Sequence, residues 1–200
     1  MFGDRDCWVF DLDGTLTIAN HDFDAIRAEL GIPEGHLILE YLATLPEQDA
    51  APLHVQLEGI ERRLAATVEG QEGCAELLLR LASSNCQLGI LTRNTRENAF
   101  ASLERLGVID LFHPDDVLGR DEAAPKPDPA GIQALLARWD ASPERGVMVG
   151  DYRLDLAAGR AAGVRTVHVE SGGQFAWPEL TDLAVRSLTE LQAEVERTLP

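Results

Sequence analysis

Asp11 and Asp13 stand two residues apart in VFDLDGTLT (9–17), directly after an apolar run that ends in Val9 and Phe10. In an extended chain that spacing points both carboxylates the same way. Other apolar runs also end in polar residues. QLGIL (87–91) leads into Thr92, Arg93 and Asn94, and VMVG (147–150) into Asp151, with Asp155 four residues on. Of the 17 Lys and Arg residues only Lys126 is a lysine, in the Pro-flanked segment APKPDP (124–129). Carboxylates gathered at one point cannot all stay ionised without a cation. Oxygen ligands of this kind suit Mg²⁺, which binds through one or two carboxylates, waters and a substrate phosphate. The Lys126 ammonium, the Thr92 hydroxyl and the N–H groups near Asn94 suit phosphate oxygens. A metal, a phosphate cradle and a spare carboxylate together point to phosphoryl transfer through an acyl-phosphate. Taken singly, each residue has a plainer reading. Asp11 and Asp13 can be a solvated strand end, Asp155 and Asn94 helix caps, and Arg93 a surface arginine.

The elements that would position these residues alternate in type. CWVF (7–10), QLGILT (87–92), VMVG (147–150) and RTVHV (165–169) read as strands, with DVLG (116–119) as a weaker fifth. Runs apolar on both faces and separated by helical segments indicate a parallel sheet covered by helices on both sides. Helical periodicity marks 74–84, 96–107, 129–139, 154–163 and a closing surface helix at 188–199. Asn94 with Glu97 reads as an N-cap pair for the second of these, and Gly107 as its C-cap. Gly14 permits a sharp turn after the acids, and Thr15 can fix that turn by a bond to backbone. Residues 18–72 differ. They contain no strand signal and read as two or three amphipathic helices, at 22–31, 35–46 and 52–70. The predicted organisation is an α/β core of residues 1–17 and 73–200, with a helical insertion of residues 18–72 after the first strand.

Composition narrows the partners. A net charge of -17 repels nucleic acid and anionic lipid, so neither is expected. No apolar stretch approaches the roughly 20 residues of a membrane span, and the acidic N-terminus is unlike a signal peptide. Cys7, Cys74 and Cys86 are odd in number and lack metal or redox spacing, which predicts a reducing cytoplasm. Oligomeric state is not readable. His21, near the start of the insertion, is a candidate substrate contact, whereas the other histidines read as structural. Arg62 and Arg63 read as a solvated face, with contact to a substrate carboxylate as the alternative.

DLDGTLT (11–17), Thr92 after its apolar strand, Lys126 in KPDP and GDYRLD (150–155) occur in that order. Together they resemble the four motifs of the haloacid dehalogenase superfamily, in its phosphoglycolate-phosphatase-like branch. The resemblance spans roughly residues 7–170. It implies a Rossmann-like parallel sheet with a helical cap, and a phosphatase acting on a small phosphorylated metabolite. It further implies that Asp11 is the nucleophile and Asp13 the proton donor and acceptor. Asp11, the Asp13 carbonyl and Asp151 would ligate Mg²⁺, with Asp155 supporting them directly or through water. Thr92, Arg93, Asn94 and Lys126 would bind the substrate phosphate, with Thr92 and Lys126 holding the phosphoryl oxygens. Family dehalogenases lack the second acid of the first motif, so Asp13 argues for phosphate esters. Family phosphonatases need a cap lysine, and residues 18–72 have none. A phosphosugar mutase shares all four motifs, and a silent phosphometabolite-binding regulator is the non-enzymatic alternative.

Overall fold

The computed structural model describes Gly3 and residues 5–197. Six strands, β1 (Cys7–Phe10), β2 (Gln87–Leu91), β3 (Val117–Leu118), β4 (Gly146–Gly150), β5 (Arg165–Val169) and β6 (Leu183–Val185), form one sheet. Its order is β3-β2-β1-β4-β5-β6, and every pair is parallel. The helices are α1 (Phe23–Leu30), α2 (Ile38–Ala43), α3 (Glu47–Ala65), α4 (Cys74–Ser83), α5 (Arg96–Arg105), α6 (Ala130–Arg138), α7 (Arg153–Ala162) and α8 (Leu188–Glu196). The expected α/β architecture is therefore present. β6 is an addition, since three residues with only Val185 buried leave almost no periodic signal.

Alternation within β1 sets the two layers. Trp8 and Phe10 face a cluster with Leu77, Leu78 and Leu81 of α4, Leu103 of α5 and Leu191 of α8. Cys7 and Val9 face the other, with Ile132, Leu135 and Leu136 of α6 and Ala158 of α7. A strand covered on both faces favours apolar residues at successive positions, which is why CWVF shows no polar alternation. The closing helix α8 lies on the surface with Leu188, Leu191 and Val195 turned inward.

The segment after β1 is helical, as expected, with a shifted third helix. α3 begins at Glu47, five residues before the predicted start at Pro52. Glu47 and Asp49 in its first turn favour the positive helix terminus, and Pro52 removes one interior N–H without ending the helix. Ile26, Leu30, Ile32, Ile38, Leu42, Leu57 and Ile60 form a third cluster, separate from the two that flank the sheet. The chain enters and leaves this segment side by side. Ile18 N–H donates to the Glu69 carbonyl at 2.8 Å and Gln71 N–H to that of Leu16 at 2.9 Å.

Leu42 is fully buried in the third cluster. Leu42→Ala is expected to cost about 2–5 kcal/mol of local stability. Amide hydrogen exchange should quicken across α1–α3 and stay unchanged in β1 and β4; uniform quickening would show that the three helices do not form their own unit.

Candidate active site

Strand order puts the chemistry at one place. In open parallel sheets, ligands bind beyond the strand carboxyl ends where the order reverses, here between β1 and β4. Asp11 continues this pairing, its N–H donating to the Val149 carbonyl at 2.9 Å. Asp151 follows β4, and Asp155 sits in the first turn of α7. Gly150 holds Asp155 close, because a Cβ there would lie 2.3 Å from that of Asp155. Gly14 is required twice: its φ is +95°, and a Cβ would meet the Asp151 carboxylate at 2.3 Å.

Lys126 joins the two carboxylates that the sequence places far apart. Its Nζ lies 2.5 Å from Asp11 Oδ1 and 2.6 Å from Asp155 Oδ1, and the residue is 2% exposed. Asp155 also accepts from Tyr152 N–H at 3.0 Å, so it acts both as a helix-start acceptor and as a partner of Lys126. Thr15 departs from expectation. Its hydroxyl lies 3.3 Å from Asp11 Oδ2 and 3.4 Å from Asp151 Oδ1, and it is Thr17 that bonds the backbone, at Leu12 O. The Asp151 carbonyl accepts from Nε2 of the buried His168 at 3.2 Å.

Asp13 faces the same space through different partners. Asn94 Nδ2 donates to Asp13 Oδ2 at 3.2 Å, and His21 Nδ1 lies 4.0 Å from Asp13 Oδ1. The expected Asn94 cap is corrected: Thr95 caps α5, accepting from Asn98 N–H at 3.2 Å. The N–H groups of Asn94 and Thr95 already donate, to Thr92 Oγ1 at 3.1 Å and Asn94 Oδ1 at 2.8 Å. The side chains of this loop, more than its N–H groups, are what it offers a ligand. Arg93 donates to the Lys126 carbonyl at 3.1 Å and to Glu40 of α2 at 2.6 Å.

The electrostatics follow from crowding. Burial, then the charges of Asp11 and Asp155, push the Asp151 carboxyl up to about 8. Burial raises Asp155 to about 6 against the pull of Lys126. Burial alone would lower Lys126, but Asp11 and Asp155 outweigh it and hold its ammonium well above the usual lysine range. Asp13 is raised by burial, opposed by His21. One oxygen each from Asp11, Asp151 and Asp155 lie within 4.8 Å of one another, a donor set of hard oxygens that fits a divalent cation.

These residues line a pocket of about 350 Å³, together with Thr92, Asn94 and the helical segment. That opposite wall was not foreseen beyond His21. Glu61 of α3 is buried, raised by desolvation, and paired with Arg120 at 2.9 Å. A signal existed in the sequence: Glu61 stands four residues after Leu57, on the apolar face that Leu57 and Ile60 define. Arg62 and Arg63 are exposed, as expected.

A family model for haloacid dehalogenase-like hydrolases matches residues 24–169. The Rhodospirillum rubrum protein named phosphoglycolate phosphatase is 32% identical over 82% of this chain and 79% of its own. An uncharacterized hydrolase of Saccharomyces cerevisiae is 28% identical over 92% of this chain and 87% of its own. A hydrolase of Pseudomonas syringae has a crystal structure similar at TM-score 0.80 and 24% identity, covering 96% of this chain and 98% of that one. The last likeness concerns the fold. The chain belongs to the haloacid dehalogenase-like hydrolase family.

A divalent ion held by the oxygens of Asp11, Asp151 and Asp155 would need the Asp151 carboxylate ionised, and with a pKa of about 8 that group is mostly protonated at pH 7. Binding of Mg²⁺, the probe, at pH 7 should therefore release about one proton. Calorimetry in buffers of different ionisation heat reads this directly, and affinity should climb as pH rises through about 8. A pH-independent affinity would contradict the crowding.

Proposed function

We propose that the chain, a phosphoric monoester hydrolase of this family, cleaves a small phosphorylated metabolite through an aspartyl-phosphate on Asp11. The contrast between two neighbouring acids carries the reading. Asp11 has its charge met by Lys126 at 2.5 Å, whereas Asp13 is raised by burial and rests on Asn94. One acid is thereby kept as a nucleophile and the other as a proton carrier.

An Asp11 oxygen attacks phosphorus as the bond to the alcohol oxygen breaks, and Asp13 gives that oxygen its proton. Asp13, now a carboxylate, takes a proton from the water that attacks the phosphoryl group, and Asp11 is released with free phosphate. Lys126 and the Thr92 hydroxyl hold phosphoryl oxygens, and Asn94 and Arg93 keep Asp13 and the Lys126 loop in place. Mg²⁺ on Asp11, Asp151 and Asp155, with the Asp13 carbonyl, would add positive charge where a phosphate dianion meets these acids. Two like charges ~4 Å apart repel by roughly 4 kcal/mol at an effective dielectric of about 20, so this offset is needed. Residues 18–72 act as a cap over a core of residues 1–17 and 73–200, excluding water from the pocket. The three cysteines are free, with thiols pushed up to about 12, 12 and 11 by burial, which suits a reducing cytoplasm.

Mg²⁺-dependent release of free phosphate from p-nitrophenyl phosphate tests the activity, with Asp11→Asn as the inactive control. Nitrophenolate leaves without needing a proton, so Asp13→Asn should release a burst of about one nitrophenolate per chain and then stall. Linear release without a burst would remove Asp13 from the second step. Lys126→Ala should lower kcat by about 10²-fold or more; a loss under about threefold would contradict its role.

A further inference from the structure

The charges on the helical wall of the pocket are paired, but Glu61 keeps one carboxylate oxygen without a partner. Arg27 is engaged by Asp24 at 2.6 Å and the His36 carbonyl at 3.3 Å, and Arg93 by Glu40 at 2.6 Å. Arg120, which does not line the pocket, donates from Nη1 to Glu61 Oε1 at 2.9 Å, and its Nη2 is buried without a hydrogen-bond partner. Glu61 Oε2 is buried without a hydrogen-bond partner, in the pocket that also holds Asp13 and His21. Around it the wall is apolar: Ile26, Ile38 and Leu57 line the interior, and the part-exposed Phe23, Leu37 and Tyr152 line the mouth. The Nε of Arg27 is buried and unpartnered too, but Asp24 has already met its charge, which leaves it a donor suited to a neutral oxygen.

We propose that Glu61 selects the leaving group: an alcohol that presents a hydrogen-bond donor, hydroxyl or ammonium, to Glu61 Oε2 and an apolar face to the helical wall. A leaving group ending in a carboxylate sets a second carboxylate against Glu61 Oε2, while Arg27 and Arg120 already hold ion pairs, so short phosphorylated acids are poor substrates. This rests on the phosphatase reading, and it runs against the name of the Rhodospirillum rubrum relative. A buried acceptor left unfilled costs affinity, and a like charge placed against it costs more.

The test uses the full chain with Mg²⁺ and three esters of one shape: para-aminomethylphenyl, para-hydroxymethylphenyl and para-carboxyphenyl phosphate. The first two should exceed the third in kcat/KM by about tenfold or more. Glu61→Gln should remove most of that difference, chiefly through KM. Because that change leaves the largely buried Arg120 side chain without its counter-charge, the double variant Glu61→Gln with Arg120→Gln is measured beside it, and circular dichroism checks both folds. Calorimetric binding of the same esters to Asp11→Asn gives the ranking without turnover. That ranking, found in an enzyme that releases no phosphate, would sustain Glu61 and sink the phosphatase reading. Equal or better use of the carboxylate ester by wild type would overturn the proposal, as would a ranking unchanged in both folded variants.

Discussion

Three carboxylates around one buried ammonium are the constraint on which the site is built. Asp11, Asp151 and Asp155 carry three negative charges when ionised, and Lys126 returns one positive charge. The two negative charges that remain are what a single divalent cation would neutralise. Without it the group relieves itself by holding protons, which is the physical meaning of raised Asp151 and Asp155 carboxyls. The same arithmetic explains why the protein's only lysine is buried at this point. An ammonium is a compact charge that can lie between two carboxylates, whereas a guanidinium is broad and planar.

Such crowding persists only where the backbone cannot yield. β1 and β4 lie side by side at the centre of the sheet, covered on both faces, so the carboxyl ends that carry Asp11 and Asp151 are fixed by two packed layers. Small residues then set the separations. Gly14 and Gly150 each leave no room for a Cβ against an aspartate, so the turn after β1 and the start of α7 close directly onto the acids. The packing of the sheet thus supplies the rigidity that the electrostatics oppose.

Legibility in the sequence followed the range of the interactions. β1 and β5 could be read to the residue, since β1 is buried at every position and β5 at all but Arg165. The acids and Lys126 stood out by type and by place at strand ends. β6 was hidden, being short and half-exposed. The pairing of Glu61 with Arg120 and of Arg93 with Glu40 joins residues 59 and 53 positions apart. No local pattern encodes such distances, so the pocket's outer wall had to come from the structure. The charged interruption at Glu61 was visible, but its partner was not.

The one-residue shift of the α5 cap shows how a local detail serves the chemistry. Had Asn94 capped the helix, its carboxamide would have been used on a backbone N–H two or three residues ahead. With Thr95 as the cap, Asn94 Oδ1 takes the Thr95 N–H and the buried Asn98 carboxamide at 2.9 Å, and Nδ2 is left for Asp13. The acid proposed to carry the proton is therefore oriented from the start of a helix packed on the sheet, while the acid proposed to attack is held by Lys126 from the opposite side. The two carboxylates leave the same strand end two residues apart, and their difference lies in what holds them.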